Sequence, residues 1–171
     1  MSIRAKIVVL CVALAFICHG CGIYSFSGAS IPAEAKTVSV AYFPNHAQLI
    51  NPMLSNDFST ALRDAMMNQT TLDMVDEGGD LAFEGEITDY RTTPVAITAS
   101  QTAAMNRLTI TVKVRFSNRF DETKDFEQSF SHYEDYPSEQ DLNAVQESLT
   151  ATIIEALVED IFNKADRKSV V

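Results

Sequence analysis

The stretch that most constrains this chain is Arg107 to Phe116, which alternates without a break. Leu108, Ile110, Val112, Val114 and Phe116 fall on one side, and Arg107, Thr109, Thr111, Lys113 and Arg115 on the other. Successive side chains of a strand point to opposite faces, so this is a strand with one dry and one wet face. Such strands belong to antiparallel sheets covered on one side. Leu81 to Tyr90 alternates in the same way, with Leu81, Phe83, Gly85 and Ile87 opposite Ala82, Glu84, Glu86 and Thr88. A hairpin with its tip near Ser100 sets Glu84 and Glu86 beside Lys113 and Arg115 as cross-strand ion pairs. Pro94 cannot donate to a ladder, so a bend is expected near Arg91 to Pro94. The strand then resumes through Val95-Ala96-Ile97, and residues 99–105 form a small polar tip. Asn118 to Lys124 reads as a charged turn. Phe126, Gln128, Phe130 and His132 then share one face of a further strand, and Tyr133 to Pro137 is expected to leave the sheet.

Ahead of this block, Thr37 to Phe43 reads as a first strand, with Val38, Val40 and Tyr42 on one face and Ser39 and Ala41 on the other. Asn51-Pro52 starts a helix: Asn accepts from a free N–H of the first turn, and Pro at the first position wastes no donor. Leu54, Phe58, Leu62, Ala65 and Met66 fall on one stripe, and the helix is expected to run to about Asn68. Thr71 to Val75 is a short extended piece. Asp76 to Asp80 has the acids and glycines of a calcium loop but lacks the ligand spacing and terminal Glu of an EF-hand, so a solvated turn is expected. Ser138-Glu139-Gln140-Asp141 resembles a capping box. Leu142, Val145, Leu149, Ile153, Ala156, Leu157 and Ile161 then trace a long helix ending near Asn163. Lys164, Arg167 and Lys168 suit its negative pole. The order β-α-β-β-β-α predicts a two-layer α+β sandwich, with two helices packed on one face of a mainly antiparallel four-stranded sheet.

The chain begins with an export pattern. Arg4 and Lys6 flank an apolar run from Ile7 to Cys18, of signal-peptide length and too short to span a bilayer. Small residues and then Cys21 follow. This resembles a bacterial lipoprotein signal, with residues 1–20 removed and Cys21 becoming the lipidated N-terminus. Plain secretion with cleavage at another small residue is the alternative. Residues 21–36 form a lead-in, and residues 37–171 a single domain. The cut removes two basic residues and no acid, moving the formal net charge from −10 to −12. Nucleic acid needs a basic face and is not an expected partner.

Catalytic signatures are missing. His46 and His132 sit on different elements, Cys21 is the one cysteine beyond the signal, and there is no nucleophile elbow or phosphate-cradling glycine loop. A carboxylate pair of the glycosidase kind is the one arrangement the pattern leaves open. No metal site and no cofactor is expected. Arg107, Lys113 and Arg115 form a basic row with two readings: partners for strand acids, or ligands for phosphate on an anionic molecule.

Several blocks carry a family resemblance: Cys21-Gly22-Ile23-Tyr24-Ser25-Phe26-Ser27-Gly28-Ala29-Ser30-Ile31-Pro32, Val40-Ala41-Tyr42-Phe43-Pro44-Asn45, Phe83-Glu84-Gly85-Glu86-Ile87-Thr88, Asn106 to Phe116, Asp125 to Phe130 and Val158 to Asn163. Through them the chain resembles the LptE-family lipoproteins of Bacteroidetes-type bacteria. The resemblance implies an outer-membrane lipoprotein that plugs an LptD-type β-barrel, helps it assemble and aids delivery of lipopolysaccharide. It implies the lipidated cysteine at Cys21 and no enzyme activity. Arg107, Lys113 and Arg115 are then candidate contacts to barrel acids or lipid A phosphates, and the tip around Ala99 to Ala104 is a second candidate surface. Gly22 to Ser25 carries no acid, which favours an anchor facing the periplasm or the barrel lumen. The competing function is a periplasmic lipoprotein scaffold or activator of a cell-wall or secretion machine.

Overall fold

Thr37–Val40 (β1) begins the sheet, and the chain crosses over it through the helix Leu54–Gln69 (α1) to Asp73–Val75 (β2), Leu81–Val95 (β3), Met105–Asn118 (β4), Phe126–Pro137 (β5) and the helix Leu142–Asp166 (α2). The computed structural model describes residues 32, 34–49, 51–95 and 104–166. The signal segment, Cys21, the lead-in up to residue 31, Ala96 and Ile97 of the expected strand resumption, residues 99–103 of the expected tip, and Arg167 and Lys168 lie outside the described residues.

The class is the expected α+β. The sheet, however, has five strands and is mixed, in the order β2-β1-β3-β4-β5. The extended piece after α1 is itself a strand. It pairs in parallel with β1 from Thr37↔Asp73 to Ser39↔Val75, and Asp73 N–H donates to the Lys36 carbonyl at 2.8 Å. Parallel pairing needs a long crossover, and α1 supplies it. β1 also runs parallel to β3, whereas β3–β4 and β4–β5 are antiparallel as expected.

The α1 stripe packs as read: Leu54, Phe58, Leu62 and Met66 are buried. Asn51 Oδ1 accepts from Met53 N–H at 3.1 Å, so it caps the turn just before the helix proper. At α2 the expected capping box gives way to a simpler start. Gln140 N–H bonds back to the Pro137 carbonyl in a turn, and Asp141 is the cap, its Oδ1 accepting from Asn143 N–H at 2.8 Å. From α2, Ile153, Ile154, Leu157, Val158 and Ile161 enter the same core as Val112, Val114 and Phe116 of β4, the helix packing over β5 and β4.

Two departures from simple alternation shape the sheet. Tyr42, expected inside, is 58% exposed, and Phe43 is fully buried in its place. After Ala41 N–H bonds to the Phe83 carbonyl, the chain leaves the ladder. Phe43 N–H instead donates to Ser59 Oγ at 3.0 Å, and that hydroxyl donates to the Ser55 carbonyl at 2.7 Å. A buried serine on α1 thus satisfies the donor that would be orphaned where β1 slips by one residue. The second departure is on β3. The expected bend at Arg91 to Pro94 is absent, and the strand runs on to Val95. The irregularity lies earlier, between Ile87 and Asp89, where Thr88 is the extra residue. This bulge turns Asp89 outward and puts Tyr90, 1% exposed, into the core. Pro94 pairs with Asn106 in a part of β3 that has β4 on one side only, where a missing N–H is tolerated.

Candidate interaction surface on the open face of the sheet

The helices cover one face of the sheet. On the other, β3, β4 and β5 present the outward half of each alternation. The register sets Glu84 beside Arg115 and Glu86 beside Lys113, as the hairpin reading expects. On the far side of β4, Arg115 lies opposite Glu127, Lys113 opposite Ser129, and Arg107 opposite Asp135.

Arg107, Lys113 and Arg115 therefore share one face of one strand. Lys113 and Arg115 are outward neighbours, whereas Arg107 lies about 20 Å away along β4. Each meets a carboxylate. Arg107 Nε and Nη2 donate to the two carboxylate oxygens of Asp135 at 2.7 and 2.9 Å, and its guanidinium carbon sits 3.6 Å from the centre of the Tyr133 ring. Lys113 Nζ lies 2.5 Å from Glu127 Oε1, and Arg115 Nη2 3.1 Å from Glu84 Oε2. Arg91 pairs with Asp89. The hydrogen bond from Arg107 holds the Asp135 carboxyl below its usual range and raises the guanidinium. The bond from Lys113 does the same to Glu127, and Lys113 is raised in turn. The pairing reading of the basic row is the one the geometry shows, each cation having a strand carboxylate as its partner. On this uncovered face Arg115 is exposed, and Arg107 and Lys113 are half-buried.

Tyr133 and Asp135 were expected to have left the sheet. They stay in β5, which runs to Pro137, and so belong to this face. The signal was the alternation itself, with Glu127, Ser129, Ser131, Tyr133 and Asp135 all on one parity. His132 lies on the helix side, with Nε2 2.7 Å from Asp160 Oδ2, so its role is the hydrogen-bonded one. The described residues contain no group of three or more side chains that could hold a metal, and no helix among them is long and apolar enough to cross a membrane.

The turn weighed for calcium uses its acid structurally. Asp80 Oδ2 accepts from Lys36 N–H at 2.9 Å and from Thr37 N–H at 3.2 Å, and Arg119 Nη1 is 3.7 Å from Oδ1. These bonds pull its carboxyl below the ordinary 3.8, the Lys36 N–H contributing most. A depressed carboxylate contributes stability that is complete above its ordinary value and is lost as pH falls through its folded value. The urea midpoint is therefore expected to drop on acidification below pH 3.8. Asp80→Asn lowers the midpoint at neutral pH and flattens that acid dependence. An unchanged acid slope in the variant excludes Asp80 as a contributor.

Several solved structures share this fold at low identity, among them the following three. A minor lipoprotein from Acinetobacter baumannii aligns with a TM-score of 0.50 and 13% identity, covering 77% of this chain and 93% of its own. A hypothetical protein from Chlamydia trachomatis gives 0.51 and 8%, covering 77% and 98%. A neuraminyllactose-binding hemagglutinin homolog from Helicobacter pylori gives 0.53 and 9%, covering 82% and 88%. No curated protein sequence matches the chain. The profile of one family, LptE, described as lipopolysaccharide-assembly, matches residues 35–165, from just before β1 almost to the end of α2. With that match over the entire sheet and both helices, the chain belongs to the LptE family of lipopolysaccharide-assembly proteins.

Proposed function

We propose that this protein is an outer-membrane lipoprotein, anchored through Cys21, that serves as the plug and assembly partner of an LptD-type β-barrel and aids lipopolysaccharide insertion into the outer leaflet. The observation that carries this reading is the family match across residues 35–165. The open face supports it. Large outer-membrane barrels have polar interiors, and a sheet face built from paired charges fits such a lumen without apolar complementarity. The role is non-enzymatic: the protein positions and occupies rather than reacts. Arg107, Lys113 and Arg115 are its contacts to barrel acids or to lipid A phosphates, reached by exchanging strand carboxylates for those of the partner or for phosphate.

Affinity purification of the tagged protein from detergent-solubilised outer membranes, followed by mass spectrometry, tests the partnership. A large barrel in near-equal amount is expected, together with an acylated N-terminal peptide beginning at Cys21. A cell-wall synthase, or no barrel, overturns the reading. For the contact residues, the variant Arg107→Gln/Lys113→Gln/Arg115→Gln is preferable to charge reversal, which would set new acids against Asp135, Glu127 and Glu84. It is expected to retain native circular dichroism and to bring down about tenfold less barrel or lipopolysaccharide. Undiminished recovery of both removes these residues from the interface.

A further inference from the structure

The two edges of the sheet are built differently. β2, at one end, is three residues long, and a strand that short blunts its edge. β5, at the other end, is twelve residues long, about 40 Å of strand. Its pairing with β4 runs from Phe116↔Phe126 to Met105↔Pro137 in one unbroken register, so no bulge twists this edge away. β5 carries no Lys or Arg, and its one proline is its last residue. Bulges, lysines and interior prolines are the usual devices that keep a sheet edge from adding another strand. This edge has none of them.

The edge is also uncovered. Among the described residues, only β4 bonds its backbone to that of Phe126 to Tyr136. Glu127, Gln128, Ser129, Ser131 and Tyr133 are exposed. β5 therefore presents a long outward row of N–H and C=O groups. The complement of such a row is the main chain of an extended peptide, which joins the sheet as one more strand.

The side chains select which peptide fits. On the open face, the cross-strand rows end in acids at this edge. Glu84, Arg115 and Glu127 form one row, acid–base–acid from β3 to β5, and Arg107 and Asp135 end another. The next place in each row, just beyond β5, suits a cation. Glu127 and Asp135 stand eight residues apart on one parity, with the small Ser129 and Ser131 between them. A second copy of the chain fits poorly: antiparallel pairing centred on Ser131 sets Glu127 directly against Asp135. We propose that the outer edge of β5 takes up an extended segment of a partner protein, with Lys or Arg beside Glu127 and beside Asp135, eight residues apart. The backbone ladder holds the segment, and the two cations set its register. This site uses the edge of β5 rather than the cations of β4, and it does not rest on the barrel reading.

The probe is a fluorescein-labelled 11-residue peptide of alternating valine and threonine with arginine at its second and tenth positions, titrated by anisotropy against the purified full chain. Its counterpart, N-methylated along the backbone, keeps both charges but cannot join a ladder. The first peptide is expected to bind and to slow amide hydrogen exchange within residues 126–137, and the methylated one to bind about tenfold more weakly or not at all. Ser129→Lys/Ser131→Lys installs on β5 the cations that edges usually carry and is expected to weaken binding about tenfold. Ser148→Lys/Thr152→Lys, which adds the same charge to exposed positions of α2, is expected to weaken it less than about twofold. No binding by the wild type, equal binding of the two peptides, or equal weakening by the two variants overturns the proposal. So does a wild-type dimer that Ser129→Lys/Ser131→Lys dissociates, which would make a second copy the occupant. Urea midpoints of each variant confirm that a folded protein is being titrated.

Discussion

Replacing Gly85 with alanine is expected to unfold this domain, although alanine is ordinarily the better strand residue of the two. Gly85 sits in the middle of β3, opposite Val114 of β4. A methyl group there overlaps the Lys113 carbonyl oxygen, lies 3.1 Å from the Lys113 carbonyl carbon, and comes within 2.6 Å of Cε1 of Phe43. None of these neighbours can give way cheaply. The carbonyl belongs to the central β3–β4 ladder, and the ring is fully buried against Phe58, with centroids 5.0 Å apart. Relief requires the hairpin to open or the ring to leave the core. Either exceeds about 4 kcal/mol, against a total stability of about 5–15 kcal/mol for a domain of this kind. Trimming the ring with Phe43→Leu in the same chain is not expected to rescue it, because the carbonyl clash remains. A urea midpoint close to wild type in Gly85→Ala would mean that the β3–β4 pairing at this position is not as described.

This glycine shows both the reach and the limit of a linear reading. Its parity with Leu81, Phe83 and Ile87 places it on the core face, and that is where it lies. Its neighbour Phe43 is not foreseeable, because Phe43 arrives only through the slip after Val40, and that slip depends on Ser59 from another element. The basic row has the same history. Arg107, Lys113 and Arg115 are visible as one parity on one strand, and Glu84 follows from the hairpin. Asp135 becomes a partner only once β5 is known to stay paired to Pro137. The run Tyr133 to Pro137 reads as an exit because it is acidic and ends in proline. The edge position of β5 is what tolerates both.

β2 was legible as extended but not as a strand, since three residues carry too little pattern and their partner is parallel, beyond a helix. The bulge at Thr88 leaves a faint trace. Strict alternation from Ile87 would bury Asp89, and an acid on the core parity of a strand is a sign that the parity changes nearby.

Phe43 and Tyr42 give the sharpest paired test of the slip. If Thr37 to Phe43 were one regular strand, Tyr42 would share the core face with Val38 and Val40, and its truncation would be the damaging one. In the fold described, Tyr42 is 58% exposed and Phe43 fully buried. Phe43→Ala removes a ring packed edge-on against Phe58 and lying over Gly85, leaving a cavity that two rigid neighbours cannot fill. A loss of about 3–5 kcal/mol is expected. Tyr42→Ala removes a solvated side chain and should cost about 0.5 kcal/mol or less. Equilibrium urea unfolding of the two variants reads the difference directly. The reverse order would restore the regular strand, leave Ser59 without its acceptor role, and move the β1 end of the sheet by one residue.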